Sequence, residues 1–381
     1  MPVRGESMQA VLKPYLDHEL ERFGDLDWFD AHTHIGRNDP DGYSAEPEEI
    51  LGAMDAAGQR RALLFAMQEP GGDYREANDE VLGACTASSG RLFALARVSP
   101  AADGALDEAR RCLDAGAVGV KLHPRSDAFG LPHPVVDEIA ALVGERRGIL
   151  LFHAGRGIPN LGEDALALAA ANPGVRIVLA HAGISDLGLI ASAVGDHSNV
   201  FFDTAWWQVS DLLALFCHIA PGQILHASDM PYGPGMFAAW ADLRLAAAVD
   251  LSDDAVRSIA GGQLGRLVAG EDPLDVGPAP GVGALGPRLP AAERAIAYLC
   301  AATQLGFRGG DPDETFALAR LACQTPGPGD PSAQVLAHVD RFAELGQRLY
   351  AEDPDDVTPF AMAAVSGQLI AGTARVGLPP L

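Results

Sequence analysis

The chain has 381 residues, 48% of them hydrophobic and 20% charged, a globular composition long enough for one large barrel or sheet domain plus an additional piece. Its 51 Asp and Glu against 27 Lys and Arg give a formal net charge of −24, which argues against nucleic acid or an anionic membrane surface as partner, since both need a basic footprint. The 5 cysteines form no CxxC pair and fall in predicted helices with apolar neighbours, as buried free thiols in a reducing compartment do. No basic-then-apolar leader opens the sequence and no apolar run reaches the ~20 residues of a membrane span, so a cytoplasmic location is expected.

Residues 1–24 contain a short amphipathic helix, "MQAVLKPYLDHELERF" at 8–23. From 25 to 270 the chain alternates apolar bursts with helix-like segments. The bursts predict eight strands at 27–32, 61–67, 92–98, 117–123, 149–155, 176–183, 199–205 and 223–229. The segments between them carry Asp or Glu early, apolar residues at 3.6-type spacing and glycine at the end, as in "EPEEILGAMDAAG",. Apolar runs this continuous belong to strands covered on both faces, as in a parallel sheet. Eight strand–helix units in about 245 residues match a (β/α)8 TIM-type barrel. The competing doubly wound sheet calls for a glycine-rich turn after the first strand, and "HTHIGRND" is not one.

A TIM barrel brings its active residues from the carboxyl ends of several strands to one mouth. Those ends are rich in histidine. The first carries His32 and His34, which share a face if the strand alternates. The fourth carries Lys121, His123 and Arg125, the fifth His153, the sixth His181, the seventh Asp203, and the eighth His226 and Asp229. One histidine at a strand end is ordinarily structural. Three histidines and an aspartate at strand ends, each followed by small or turn-making residues, point instead to a metal site.

The motifs "DAHTH", "GVKLHP", "FHAG", "AHAG" and "HASDMPYG" together resemble the amidohydrolase superfamily, in the amidohydrolase 2 branch that includes amino-carboxymuconate-semialdehyde decarboxylase. The resemblance spans residues 25–270; Gln263 stands where the branch usually has asparagine, and residues 275–381 resemble no family. It implies that His32, His34, His153 and Asp229 hold a divalent metal, with His181 as the nearby acid/base. Imidazoles with one carboxylate suit Zn²⁺, and also Mn²⁺ or Fe²⁺. Zn²⁺ brings a bound water towards a pKa of ~7, and histidine can pass its proton to a leaving group. Asp229 could accept that proton instead. Asp30 is expected to support the histidine pair from behind. In two-metal relatives the lysine equivalent to Lys121 is carbamylated and bridges the ions; with a single metal, the favoured case, it holds a substrate carboxylate.

Arg125 and Arg156 lie just past strands four and five, where with Lys121 they could bind a small carboxylated substrate. Each alone is more often a surface arginine than a functional one. His123 either contacts substrate or packs before Pro124. Trp206 and Trp207 either face a flat substrate or pack under a loop. The expected activity is hydrolysis through metal-activated water, with non-oxidative decarboxylation of a small aromatic or unsaturated acid as the alternative and an inactive metal-binding barrel as a third reading.

Residues 271–290 are rich in proline and glycine and read as a linker. Residues 291–381 follow as a helical region, with segments at 291–306, 311–325, 331–351 and 358–373. "DPDE" places Asp311 as a helix N-cap with Pro312 first and Glu314 at N3, and "DP" at 330–331 and "TP" at 358–359 repeat the device. Val335, Val339, Phe342, Leu345 and Leu349 form one apolar stripe. This region either caps the mouth or packs on the barrel and contacts a second subunit; the latter, with a homo-oligomer, is preferred.

Overall fold

The computed structural model describes residues 8–155, 158, 160–324, 330 and 332–381. Eight parallel strands follow one another around a single sheet in chain order. They are β1 (Phe29–Ile35), β2 (Arg61–Ala66), β3 (Leu92–Arg97), β4 (Gly119–Leu122), β5 (Ile149–Phe152), β6 (Arg176–Leu179), β7 (Val200–Asp203) and β8 (Ile224–Leu225). Helices alternate with them, giving the expected (β/α)8 barrel. The predicted eighth strand leaves the ladder after Leu225 but still bonds to β1. Ala31 N–H donates to His226 O at 2.9 Å, Asp229 N–H to His32 O at 3.0 Å, and His34 N–H to Met230 O at 2.8 Å. These bonds close the ring.

The two faces of each strand go to two different cores, which is why the strands read as unbroken apolar runs. Phe29, Leu63, Leu95, Leu151, Val178, Phe201 and Leu225 fill the barrel interior. Their neighbours Ala62, Leu64, Val120, Leu150, Ile177 and Phe202 pack outward against the helices. Local signals set the helix ends. Before Pro47–Ala57 the side chains of Glu46 and Glu49 form a reciprocal capping box, and Gly58 ends the helix at φ +71, a conformation glycine adopts without steric cost.

The C-terminal region forms four helices, Pro290–Gly306, Asp313–Cys323, Ala333–Glu352 and Val357–Gly372, and the stripe from Val335 to Leu349 is buried. Two of the predicted starts are displaced. Asp311 is not the N-cap: its carboxylate accepts the Asp313 N–H at 2.9 Å, and that two-residue turn puts Pro312 at the cap and starts the helix at Asp313. Thr358 and Pro359 lie inside the first turn of a helix that begins at Val357 after Asp356. At 330 the device works as a turn, with Asp330 accepting the Ser332 N–H at 2.8 Å; residues 325 and 331 lie outside the described residues.

The N-terminal helix Met8–Phe23 is held between barrel and C-terminal helices. Buried Arg244, on the barrel helix Gly235–Ala248, donates to Glu19 Oε1 at 3.1 Å, to Gly377 O at 2.9 Å and to Thr373 O at 3.3 Å. Tyr15 packs its ring 5.3 Å from both Trp240 and Phe342 and shares a 2.7 Å hydrogen bond with His338 Nδ1. Burial, reinforced by Arg244 and Arg341, pushes His338 down to about 4. The unfolded chain takes up that proton near pH 6.5. Between these values the unfolded state therefore binds more protons, so stability present above pH 6.5 is lost as the pH falls towards 4. The thermal midpoint of the wild-type chain should accordingly fall more steeply from pH 6.5 to 4.5 than that of His338→Gln. Parallel melting curves of the two proteins over this range would show it, and equal slopes would remove His338 from the acid response.

Candidate metal and substrate site

Strict alternation along β1 would not by itself put His32 and His34 on the same side as Phe29 and Ala31. The β1–β2 register shifts between Asp30 and Thr33, and this bulge resets the parity. Both imidazoles then point into the barrel mouth, 5.0 Å apart and against the interior ring of Phe65. Thr33 turns away and donates its hydroxyl to Leu63 O. Asp30 supports the pair through the backbone rather than the rings: it accepts the N–H of His32 and of Ser228 and the amide of Gln59. It thereby ties β1 to the chain just before Asp229.

Asp229 has a left-handed backbone, φ +63, an unusual conformation for a non-glycine residue that is found at functional sites. Its Oδ1 lies 3.1 Å from His34 Nε2 and 3.3 Å from His32 Nε2. His32, His34 and Asp229 form a group whose ligand atoms all lie within 4.8 Å of one another. Burial holds both imidazoles well below the ordinary histidine range, so they are neutral with a free lone pair each. His32 Nδ1 lies 2.7 Å from Asp203 Oδ2; the carboxylate accepts, so Nδ1 carries the proton and Nε2 is left free to bind. Two neutral imidazoles and a carboxylate converging in a buried mouth fit a divalent metal.

His181 reaches the same mouth by a strained turn. His181, Ala182 and Gly183 all have positive φ, at +57, +57 and +60, and the His181 N–H donates to Asp203 Oδ1 at 2.8 Å. Its Nδ1 lies 2.5 Å from Ala205 O. A carbonyl can only accept, so the His181 proton sits on Nδ1 and Nε2 is the accepting nitrogen. His153 Nδ1, 2.9 Å from that Nε2, is therefore its donor, which leaves the lone pair of His153 on Nε2. The His153 and His32 ring centroids lie 4.6 Å and 4.9 Å from that of His181, and His153 is not part of the His32–His34–Asp229 group. It stacks on His123 at 3.8 Å. Its ring folds over Gly155, where a Cβ would come within 2.4 Å of Nε2.

Lys121 is completely buried, its Nζ 3.4 Å from His32 Nε2 and 4.8 Å from the Phe65 ring centre. Burial pushes it down to about 7 against the pull of Asp203, and burial raises Asp203 to about 7 and Asp229 to about 6. His123 accepts the Ser126 N–H at Nδ1, and Arg125 stands exposed at the rim. These groups line a cleft of about 490 Å³ that also exposes Asp39, Asp41, Gln68 and Tyr232. Arg156 lies outside the described residues. Trp206 and Trp207 line an adjoining cavity; Trp206 donates its indole N–H to Asp211 at 2.7 Å.

The sequence gives Arg97 no role, yet it lines the cleft. It is buried, over the Tyr74 ring, donating to Ala66 O at 3.1 Å and to Ser126 Oγ at 2.7 Å, with its Nε unpartnered. The available signal was an arginine as the last residue of an otherwise apolar barrel strand. His226, by contrast, is structural. Its Nδ1–H donates to Asp242 at 2.8 Å, its Nε2 accepts from Gln59 at 2.9 Å, and Trp28 covers its ring.

A parallel eight-stranded barrel with a histidine–histidine–aspartate cluster at its carboxyl mouth is an arrangement typical of metal-dependent barrel enzymes. Residues 29–262 match the model of the family described as Amidohydrolase, the amidohydrolase 2 group, and the chain belongs to that family of enzymes. No curated protein sequence matches it. Among solved structures, an amidohydrolase II is 20% identical with a TM-score of 0.51, over 64% of this chain and 100% of its own. The 2,6-dihydroxybenzoate decarboxylase from Rhizobium is 16% identical with a TM-score of 0.51, over 64% and 99%. A TIM-barrel protein from Bordetella bronchiseptica is 16% identical with a TM-score of 0.52, over 64% and 99%. At these identities the likeness is one of fold.

Because Asp203 fixes both the tautomer of His32 and the backbone of His181, Asp203→Asn should lower Zn²⁺ affinity about 10–100-fold, the usual effect of losing such a support. Titration of metal-stripped protein against a chelating indicator reads the change. Wild-type affinity in the variant would show that the carboxylate does not orient the ligand.

Proposed function

We propose that this chain is a hydrolase using one divalent metal, Zn²⁺ foremost and Mn²⁺ or Fe²⁺ as alternatives, and acting on a small carboxylated substrate. The observation that carries this is the meeting of His32, His34 and Asp229 at a single buried point. His153 lies outside that group in this structure, bonded to His181 and folded over Gly155; the family resemblance makes it the fourth ligand, which requires its ring to turn. A metal held there would supply Lewis acidity, polarising a substrate carbonyl and acidifying a water. His181 is the proposed proton carrier: Ala205 O holds its Nδ1–H, and its Nε2, which takes the His153 Nδ1–H in this structure, must exchange that partner to accept a proton and pass it to the leaving group. Asp229 is the second candidate for the proton. Arg97, Lys121 and Arg125 line the cleft and hold the substrate carboxylate. His123 adds its Nε2–H, and Arg156 belongs to the same proposal. Lys121 acts as a cation with one metal; as a carbamate it would bridge a second, and the intact mass of native protein separates the two by the mass of one CO₂.

Decarboxylation is the second reading, favoured by the flat indole surfaces of Trp206 and Trp207 beside His153 and His181. There the carbon–carboxylate bond breaks, CO₂ leaves and a protonated group delivers H⁺ to the carbon. The five cysteines, none paired, favour a reducing compartment such as the cytoplasm, and a homo-oligomer remains part of the proposal. No helix among the described residues is long and apolar enough to cross a membrane.

The deciding experiment follows a panel of carboxylated amides, lactones and aromatic acids for both amine or acid release and CO₂ release. Stripping the metal should cut turnover at least ~100-fold, with recovery on adding Zn²⁺ or Mn²⁺, and Asp229→Asn should abolish it. CO₂ release alone would select the lyase. Turnover unaffected by chelation would overturn the metal mechanism.

A further inference from the structure

The cleft at the cluster continues into a second cavity of about 360 Å³, and Asp41, His153, His181, Asp229 and Tyr232 line both. The two walls differ in kind. The first carries Arg97, Lys121 and Arg125 together with Asp39, Asp41 and Asp229; the second, among the described residues, carries Asp41 and Asp229 but no lysine or arginine. Its barrel side is Trp206, Trp207 and Phe237, and its other side comes from the C-terminal helices, as Phe307, Met362 and Val365. Phe307, at the end of Pro290–Gly306, is 54% exposed although its ring lies 5.2 Å from that of Trp207. A large apolar side chain left accessible beside an aromatic wall, opening on the reacting centre, is arranged for a ligand rather than as core. Residues after 262 lie outside the family match, so this wall belongs to the part of the chain that the family model does not describe.

We infer that the C-terminal helices complete an apolar subsite and that the substrate is bipartite, with an anionic group held by Arg97, Lys121 and Arg125 and an aryl-sized apolar tail lying against the wall formed by Trp206, Trp207 and Phe307. The cluster lies between the two, where the reacting bond is placed. This rests on the reading of the cluster as the reaction centre. A cavity of this volume admits one or two fused rings.

The test is an equilibrium titration of the full chain with acetate, benzoate and 2-naphthoate, which share one charge and grow only in apolar surface. It is run on Zn²⁺-loaded and on metal-stripped protein. The expected result is affinity rising at least ~10-fold from acetate to 2-naphthoate in both forms. Phe307→Ser, at an exposed position, and Ala361→Phe, which adds a ring at a cavity-lining position, should each cut that rise below ~3-fold, with acetate affinity and Zn²⁺ stoichiometry unchanged. A 2-naphthoate affinity no greater than that of acetate, or a rise that survives both substitutions, overturns the subsite. Failure of the metal reading would show separately, as no Zn²⁺ uptake while the rise persists in the stripped protein.

Discussion

The seam between β1 and the chain leaving β8 is where the ring of strands closes and where the metal cluster forms, and both depend on the same few bonds. Asp30 accepts N–H groups from both sides of the seam, and His32 O and Met230 O each take an N–H across it. Because these bonds fix two segments almost two hundred residues apart in sequence, Asp229 meets the histidine pair without a long flexible side chain to span the distance. A closed barrel leaves no unpaired edge, so the position of the cluster is defended by the cohesion of the whole sheet and not by a local loop.

Around that seam the site is built from neutral imidazoles. Burial removes their charge, and acceptors that cannot donate then settle which nitrogen keeps its proton. Ala205 O fixes His181, His181 in turn fixes His153, and Asp203 fixes His32. Asp203 is central to this order, since its Oδ1 receives the backbone N–H groups of His181 and Ala205 while its Oδ2 holds His32. The left-handed turns at His181 and Asp229 cost backbone energy, which the surrounding hydrogen bonds offset.

Much of this was legible in the sequence. The strands were readable because two-sided burial writes unbroken apolar runs, and the site was readable because barrel topology brings strand ends together. Asp203 stood at a strand end with no assigned task, because its task is to hold other residues, and a sequence does not print hydrogen-bond partners. Arg97 was hidden inside a strand that otherwise looks like core. The β1 bulge left no compositional trace, although it turns the two histidines inward. His226 shows the converse: an identical strand-end signal, spent on bonding Gln59 and Asp242 below the mouth. Asp311 and Thr358 were displaced as caps because an Asx turn or one further residue satisfies the same N–H groups, and local propensity does not choose between such near-equivalents. The C-terminal helices were legible as helices, but their place beside the mouth was not, because nothing in an amphipathic stripe says which surface it will meet.

Arg244 has a consequence for the order in which the molecule can be finished. Its guanidinium is shut inside the protein between Glu19, near the start of the chain, and carbonyls of Thr373 and Gly377, near its end. A buried cation with half its partners missing is strongly unfavourable. The barrel strands can therefore pair without these contacts, but the first helix cannot lock into its final berth around Arg244 until the segment 373–377 has docked. Glu19 and the segment 373–377 act as two halves of a latch that closes on Arg244 only when both are in place.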